Sequence, residues 1–72
     1  MKTCNNKKSG KTFICVDVSN NGMGLMISPN GDVKTLEKRL FTDPIEGEDP
    51  ETLSEQGLIT QEQYKVYIAY YQ

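Results

Sequence analysis

The chain has no histidine and no tryptophan, and only two of its 72 residues are cysteines, Cys4 and Cys15. Without histidine, the base that most often activates a serine or cysteine nucleophile is missing. No Cys-x-x-Cys pair is present either, which excludes a structural zinc site of the usual kind. Two cysteines are too few for a disulfide framework. We therefore predict a non-enzymatic protein with reduced thiols and no metal or other cofactor.

Long apolar runs are also absent. No stretch approaches the roughly 18 apolar residues of a membrane span, and the opening residues, MKTCNNKK, lack the apolar segment of a signal peptide. A composition of 36% hydrophobic and 25% charged residues is typical of a globular domain. We expect a small cytoplasmic protein without membrane contact. It is expected as a monomer or as a homodimer, since dimerisation adds buried area to a small core.

The net charge of −2 is unevenly distributed along the chain. Most lysine and arginine residues lie in residues 1–42, whereas most acidic residues lie in residues 43–72. This asymmetry indicates one basic and one acidic surface. The basic half makes nucleic-acid binding an alternative function, carried by the cations Lys7, Lys8, Lys11, Lys34, Lys38 and Arg39.

Residues 1–11 are polar, and we interpret them as a flexible basic arm that precedes a single α+β domain at residues 12–72. Within the arm, Gly10-Lys11-Thr12 has the closing letters of a phosphate-binding loop. The motif requires a glycine five residues earlier, where Asn5 stands, and a helix afterwards, where a strand-like segment follows. A phosphate-binding loop is therefore not predicted.

Alternating apolar residues predict a three-stranded antiparallel meander over residues 12–36. The first strand, residues 12–19, has one uniformly apolar face, and Phe13 and Cys15 lie on the other, partly exposed face. Asn20-Asn21-Gly22 predicts a tight hairpin turn. The second strand covers about residues 22–28, and Pro29-Asn30-Gly31-Asp32 predicts the turn to a short third strand at residues 33–36.

The last 24 residues predict a helical hairpin. Asp49 is a good N-cap, Pro50 suits the first helical position, and Gly57 is a good terminator, so the first helix is expected at residues 50–56. Thr60 and Gln63 have the spacing of a capping box for a second helix. The competing interpretation of its end is a strand, because residues 66–71 have high β-propensity.

These elements define an α+β fold in which a three-stranded β-meander is followed by a C-terminal helical hairpin packed on one face of the sheet. The other face of such a sheet is expected to be wet. The predicted core consists of the inward apolar side chains, which are Ile14, Val16, Val18, Leu25, Ile27, Leu36, Leu53, Leu58, Ile59, Tyr64, Tyr67, Ile68 and Tyr71.

The helical hairpin resembles the short helix–turn–helix of SHOCT-type C-terminal domains. The resemblance is carried by Leu53, the run Gly57-Leu58-Ile59-Thr60, Glu62 and Tyr64. It implies a bacterial or phage origin and a role in association.

The first turn resembles a different family. Asp17, Ser19 and Gly22, followed by Gly24-Leu25, are similar to the D-x-S-x-x-G turn of PilZ domains, which bind cyclic di-GMP. That family also has an upstream R-x-x-x-R, where this chain offers only lysines, and lysine lacks the planar fork of arginine. The same residues have the opening letters of a calcium loop, but Ser28 stands where a bidentate glutamate is required.

We predict a small protein-binding module with an unidentified protein partner. Tyrosine is enriched at interfaces, so the contact is expected at Tyr70 of the C-terminal helix and at the acidic residues Glu46, Glu48 and Asp49. The alternatives are nucleic-acid binding through the basic half and PilZ-like cyclic-dinucleotide binding.

Overall fold

The computed structural model describes residues 1–19 and 21–70, apart from the side chain of Val18. The predicted core positions of Val18 and Tyr71 and the turn position of Asn20 lie outside these described parts. The elements in chain order are β1 (Lys2–Asn5), β2 (Thr12–Val18), β3 (Met23–Ile27), β4 (Val33–Glu37), a 3-10 helix (Lys38–Leu40), β5 (Ile45–Glu46), α1 (Pro50–Glu55) and α2 (Gln61–Tyr70).

The α+β class and the antiparallel sheet are confirmed, but over residues 1–19 and 21–70 the sheet has five strands and not three. Its strand order is β4-β3-β2-β1-β5, so the predicted meander forms one part of it. β1 pairs with β2 over the register Lys2↔Cys15 to Asn5↔Thr12. On its other side, β1 pairs with β5 through Lys2↔Glu46. The first strand of the chain therefore lies inside the sheet.

Residues 1–11 contain a strand and a structured turn, so their description as an arm is corrected. The side chain of Asn6 organises the turn, because its Oδ1 accepts hydrogen bonds from the backbone N–H groups of Lys8 and Ser9, each at 2.9 Å. Lys2–Asn5 includes only one apolar residue, Cys4, and therefore shows no apolar alternation. Its strand conformation depends on pairing with distant residues, which a local pattern does not reveal.

The sheet has an apolar core on each face. On the helix side, the buried residues are Ile14, Ile27, Leu53 and Ile59. On the opposite side, they are Cys4, Cys15, Met26 and Phe41, with Phe13 and Leu36 packed against them. The prediction of a wet second face with a partly exposed Cys15 was wrong, since Cys15 is only 6% exposed. The chain after the 3-10 helix brings Phe41 onto this face and covers it.

The predicted core is confirmed in part. Four predicted residues are buried, and six more are half-buried: Val16, Leu25, Leu36, Tyr64, Tyr67 and Ile68. Leu58 was predicted wrongly, because it is 54% exposed. It follows Gly57 in the turn between α1 and α2. Leu36 packs on the face opposite to the helices and not beneath them.

The caps that define the helical hairpin are present as predicted. Asp49 Oδ1 accepts a hydrogen bond from the Thr52 N–H at 2.8 Å and begins α1. At the other end, Gly57 has a φ of +76°, and the Leu58 N–H donates to the Leu53 carbonyl at 3.0 Å, as in a Schellman ending. α1 ends at Glu55, one residue before the predicted end. The C-terminal segment is helical through Tyr70, so the strand alternative is excluded for residues 61–70.

Gln63 joins the second helix to the sheet. It forms the predicted capping box, in which its Oε1 accepts from the Thr60 N–H at 2.9 Å. Its Nε2 also donates to the carbonyl oxygens of Thr12 at 2.9 Å and Ile27 at 3.1 Å. The Gln63 side chain, which is only 1% exposed, thus fixes the start of α2 against two neighbouring strands.

Candidate binding cleft

A cleft of about 430 Å³ lies on the sheet face opposite to the helices, beside β4. We call it the sheet cleft. Its apolar lining consists of Phe13, Leu36, Leu40 and Phe41. The remaining lining residues are Asn6, Lys11, Ser28, Pro29, Asn30 and Lys34. Because Lys11, Lys34 and Asn30 are exposed while Phe41 is buried, the cleft has an apolar floor and a polar, basic rim.

The floor of the sheet cleft is fixed by packing and by backbone hydrogen bonds. The Phe13 and Phe41 rings meet edge to face, with centroids 4.9 Å apart and planes at 71°, an arrangement that aromatic pairs favour. The Lys7 N–H donates to the Leu40 carbonyl at 2.9 Å. These contacts hold the segment after β4 against the first hairpin, so the cleft is formed before any ligand binds.

One end of the sheet cleft is formed by the turn between β3 and β4. The Ser28 N–H donates to the Asp32 carbonyl at 2.8 Å, and the Asp32 N–H donates to Ser28 Oγ at 3.1 Å. From the helix side, the Thr60 hydroxyl donates to the Pro29 carbonyl at 2.5 Å. The turn is therefore held from both sides.

The structure brings most of the predicted basic residues to this side of the molecule. Lys11 and Lys34 line the sheet cleft. Lys7, Lys8 and Arg39 line an adjoining pocket of about 200 Å³ that shares Asn6 and Leu40 with the cleft. Lys38 lies on the same sheet face but lines a separate, smaller pocket with Cys4 and Cys15. These cations were identified one by one from the sequence, which does not indicate that five of them share one surface.

Two of these cations have acidic neighbours. Arg39 Nε donates to Glu37 Oε2 at 2.6 Å, and Lys34 Nζ lies 3.8 Å from Asp32 Oδ2. Both pairs are exposed, and exposed pairs of this kind are weak and easily exchanged for other partners. They leave the basic character of the surface largely intact.

Two of the acidic residues predicted for protein contact, Glu46 and Asp49, form contacts within the chain itself. Glu46 forms an ion pair with the N-terminal ammonium at 2.6 Å, and this hydrogen bond, together with the positive charge, lowers the pKa of its carboxyl. Hydrogen bonds from Thr52 likewise lower the pKa of Asp49. Glu48 is exposed, and Tyr70 is 50% exposed at the end of α2. A contact surface at Tyr70 and Glu48 stays a prediction.

The floor residues of the sheet cleft were not predicted as site residues. Phe13 was placed on the wet face of the sheet, and Leu36 was expected only as a core residue. One signal was available, because Phe13 and Cys15 give the first strand a second apolar face. That pattern is typical of a strand covered on both sides.

The turn that resembles the PilZ motif is held by hydrogen bonds of its own residues. The Ser19 N–H donates to the Met23 carbonyl at 3.0 Å, and the Ser19 hydroxyl donates to the same oxygen at 2.9 Å. The Met23 N–H donates to Asn21 Oδ1 at 3.2 Å. Cyclic-dinucleotide binding stays a prediction from the sequence of this turn.

Comparisons with protein-family models, with curated proteins and with solved structures find no match to this chain. The resemblances to SHOCT-type and PilZ domains thus gain no support from a family match. Within residues 1–19 and 21–70, neither helix has the length and apolar character needed to span a membrane.

Proposed function

We propose that this chain is a non-enzymatic protein-binding module that takes an extended, acidic segment of a partner protein along β4. The observation that carries the proposal is the position of the sheet cleft, whose apolar floor and lysine rim lie directly beside an edge strand. This proposed contact surface lies on the opposite side of the sheet from the C-terminal helix, where the sequence alone predicted the contact.

The edge strand supplies the backbone groups for such binding. Among the described strands, β4 pairs only with β3, through the register Met23↔Glu37 to Ile27↔Val33. Its first three residues are exposed. An extended peptide can add to such an edge through main-chain hydrogen bonds, while pockets beside the edge select its side chains.

The sheet cleft supplies specificity for one apolar side chain. Its volume of about 430 Å³ falls in the range typical of ligand pockets, and Leu36 and Leu40 stand at its β4 side. Lys11 and Lys34 on the rim favour acidic residues next to that apolar anchor. Electrostatic complementarity of this kind increases the association rate and discriminates against basic peptides.

The first test is a selection of peptides from a random displayed library, followed by affinity measurement with fluorescence polarisation. We expect selected peptides to carry one apolar residue among acidic residues. The variants Leu40→Glu and Lys34→Glu should each lower their affinity by about tenfold or more. Leu58→Glu and Lys65→Glu make the same changes at exposed positions of the helical hairpin and should leave affinity unchanged.

Strand addition itself is tested by N-methylating the peptide backbone at successive amides. Loss of affinity at every second amide is expected, because only alternate amides of an added strand face β4. Equal peptide affinity of the Leu40→Glu and Leu58→Glu variants would contradict binding at the sheet cleft. A loss of affinity confined to the Tyr70→Ala and Glu48→Lys variants would instead support a contact at the C-terminal helix.

A second candidate function is binding of single-stranded nucleic acid along the same surface. The observation in its favour is the gathering of Lys7, Lys8, Lys11, Lys34 and Arg39 at two adjoining pockets. Such binding should weaken steeply with salt, because each phosphate contact releases counterions. It should also be lost when Lys7, Lys8 and Lys11 are all changed to glutamate, and Lys65→Glu is the control. No detectable binding to DNA or RNA at about 50 mM salt would remove this candidate.

A further inference from the structure

Three sulfur-containing side chains pack together on the sheet face opposite to the helices. Cys4, Cys15 and Met26 come from the adjacent strands β1, β2 and β3, and all three are buried in one apolar cluster. Cys4 Sγ lies 3.9 Å from Met26 Sδ, and Cys15 is the cross-strand partner of Met26. The three side chains also line one pocket of about 160 Å³. We call them the sulfur cluster.

The ligand chemistry of the sulfur cluster is that of a soft cation. Thiolate and thioether sulfurs select Cu(I) over harder ions. Three sulfurs around one ion at metal–sulfur bonds of about 2.3 Å lie about 4 Å from one another in a plane. The observed separation of 3.9 Å between Cys4 Sγ and Met26 Sδ fits this geometry. We propose that Cys4, Cys15 and Met26 form a three-sulfur site for one monovalent soft cation, Cu(I).

The pocket at the sulfur cluster is lined by one cation, Lys38, and one acid, Asp43. Cu(I) bound by two thiolates carries one net negative charge, and Lys38 lines the same pocket. The remaining lining residues include the exposed residues Thr42, Asp43 and Pro44, so the pocket opens towards solvent and gives an ion a route to the sulfurs.

Proton release accompanies binding at this site. Burial raises the pKa of Cys4 to about 11, with a smaller contribution from Cys15. Burial also raises the pKa of Cys15; Lys2 opposes the shift, Asp17 adds to it, and Lys38 opposes it. Each thiol loses its proton when its sulfur bonds to the ion. Two protons leave per Cu(I) with no change of oxidation state, and affinity falls as the pH falls.

The site is distinct from a zinc site. Over the described residues, no three side chains of the His, Cys, Asp and Glu types are placed to hold a metal ion together. The third ligand here is a methionine thioether, which is a poor ligand for borderline and hard ions. Zn(II) is therefore expected to compete poorly with Cu(I).

The test uses the full chain, reduced and free of oxygen, titrated with Cu(I) against a chromophoric bicinchoninate chelator. Ag(I) serves as a second, redox-inert probe. We expect one ion per chain, release of two protons and poor competition by Zn(II). Met26→Leu, which nearly conserves volume, should weaken binding by about tenfold or more. The matched control is Met23→Leu, which changes a methionine of the same strand outside the cluster and should bind as the unchanged chain does.

A spectroscopic measurement on the unchanged chain keeps the test independent of whether variants fold. X-ray absorption of the Cu(I) complex should show three sulfur neighbours at about 2.3 Å. Binding that is equal in Met26→Leu and Met23→Leu, a shell of two sulfurs, or no bound ion per chain would overturn the proposal.

Discussion

Gln63 is the side chain through which the helical and sheet layers depend on each other. Its amide satisfies the Thr60 N–H at the start of α2 and the carbonyls of Thr12 and Ile27 in two strands. A buried polar side chain of this kind is favourable only while all of its partners are present. These three hydrogen bonds are thus a specific point of vulnerability.

Gln63→Leu should destabilise the folded chain by about 2–4 kcal/mol, because one buried and one partly buried carbonyl lose their donor. Urea unfolding followed by circular dichroism measures the change. Gln61→Leu is the matched control, since Gln61 is exposed at the first residue of α2. Equal midpoints for the two variants would contradict the role assigned to Gln63.

Glu46 gives the stability a dependence on pH. Its folded pKa lies below the ordinary value of 4.5, because the N-terminal ammonium donates a hydrogen bond to it and adds positive charge. A lowered pKa stabilises the folded state above pH 4.5, and the contribution is lost as the pH falls through the folded pKa. Since the Glu46 side chain is 66% exposed, the effect is small.

The difference in urea midpoint between the unchanged chain and Glu46→Gln should therefore be present above pH 4.5 and disappear in more acidic solution. Glu48→Gln, the same change at an exposed neighbour, is the control. A difference that persists unchanged below the folded pKa would show that the ion pair is not its cause.

At the scale of elements, two glycines with positive φ angles differ in how much space surrounds them. Gly57 follows α1 with a φ of +76°, and an added Cβ would meet nothing within 4 Å. Gly31, in the turn between β3 and β4, has a φ of +90°, and its added Cβ would lie 3.3 Å from Glu62 Cβ and Val66 Cγ2 of α2. The turn and α2 are thus packed without room for a side chain.

Gly57→Ala should cost about 1–2 kcal/mol, the penalty for an L-residue in the left-handed region. Gly31→Ala should cost more, because the same penalty is joined by displacement of α2. Thermal unfolding of the two variants compares them directly. If Gly31→Ala proved the milder change, the close packing of α2 against this turn would be refuted.

The elements that the sequence predicted well are those with local signals. The helix-end contacts predicted for Asp49, Gly57, Thr60 and Gln63 join residues within five positions of one another, and these contacts are present. β1 and β5 were not predicted, because a strand this short and polar shows no alternation of apolar and polar residues. Lys2–Asn5 becomes a strand only through the hydrogen bonds that β2 and β5 offer it.

For the whole molecule, the main finding beyond the predicted fold is the second apolar face of the sheet. It creates both the sheet cleft and the sulfur cluster, and neither followed from the sequence. Cys4, Phe13, Leu36 and Phe41 come from four separate segments. Their proximity depends on strand order, which the sequence pattern leaves open. The cations were identified individually from the sequence, but their common surface again depends on strand order.

Two neighbouring residues of β3 test the two-sided core. Met26 is 1% exposed on the cleft side, and Ile27 is 0% exposed on the helix side. Met26→Ala and Ile27→Ala should each cost about 2–5 kcal/mol, the range for large-to-small changes in a core. Chemical denaturation measures both. A sheet with one wet face would instead show a large loss for Ile27→Ala alone.

The place of β1 inside the sheet also bears on how the chain reaches its fold. Lys2 pairs with Glu46, so β1 gains its second neighbour only when a segment from the latter half of the chain returns to it. Closing that large loop costs conformational entropy before the β1–β5 hydrogen bonds contribute any stabilising free energy. The short β1–β5 ladder should therefore form late in folding and open early in unfolding, while the local hairpin of β2 and β3 is still intact.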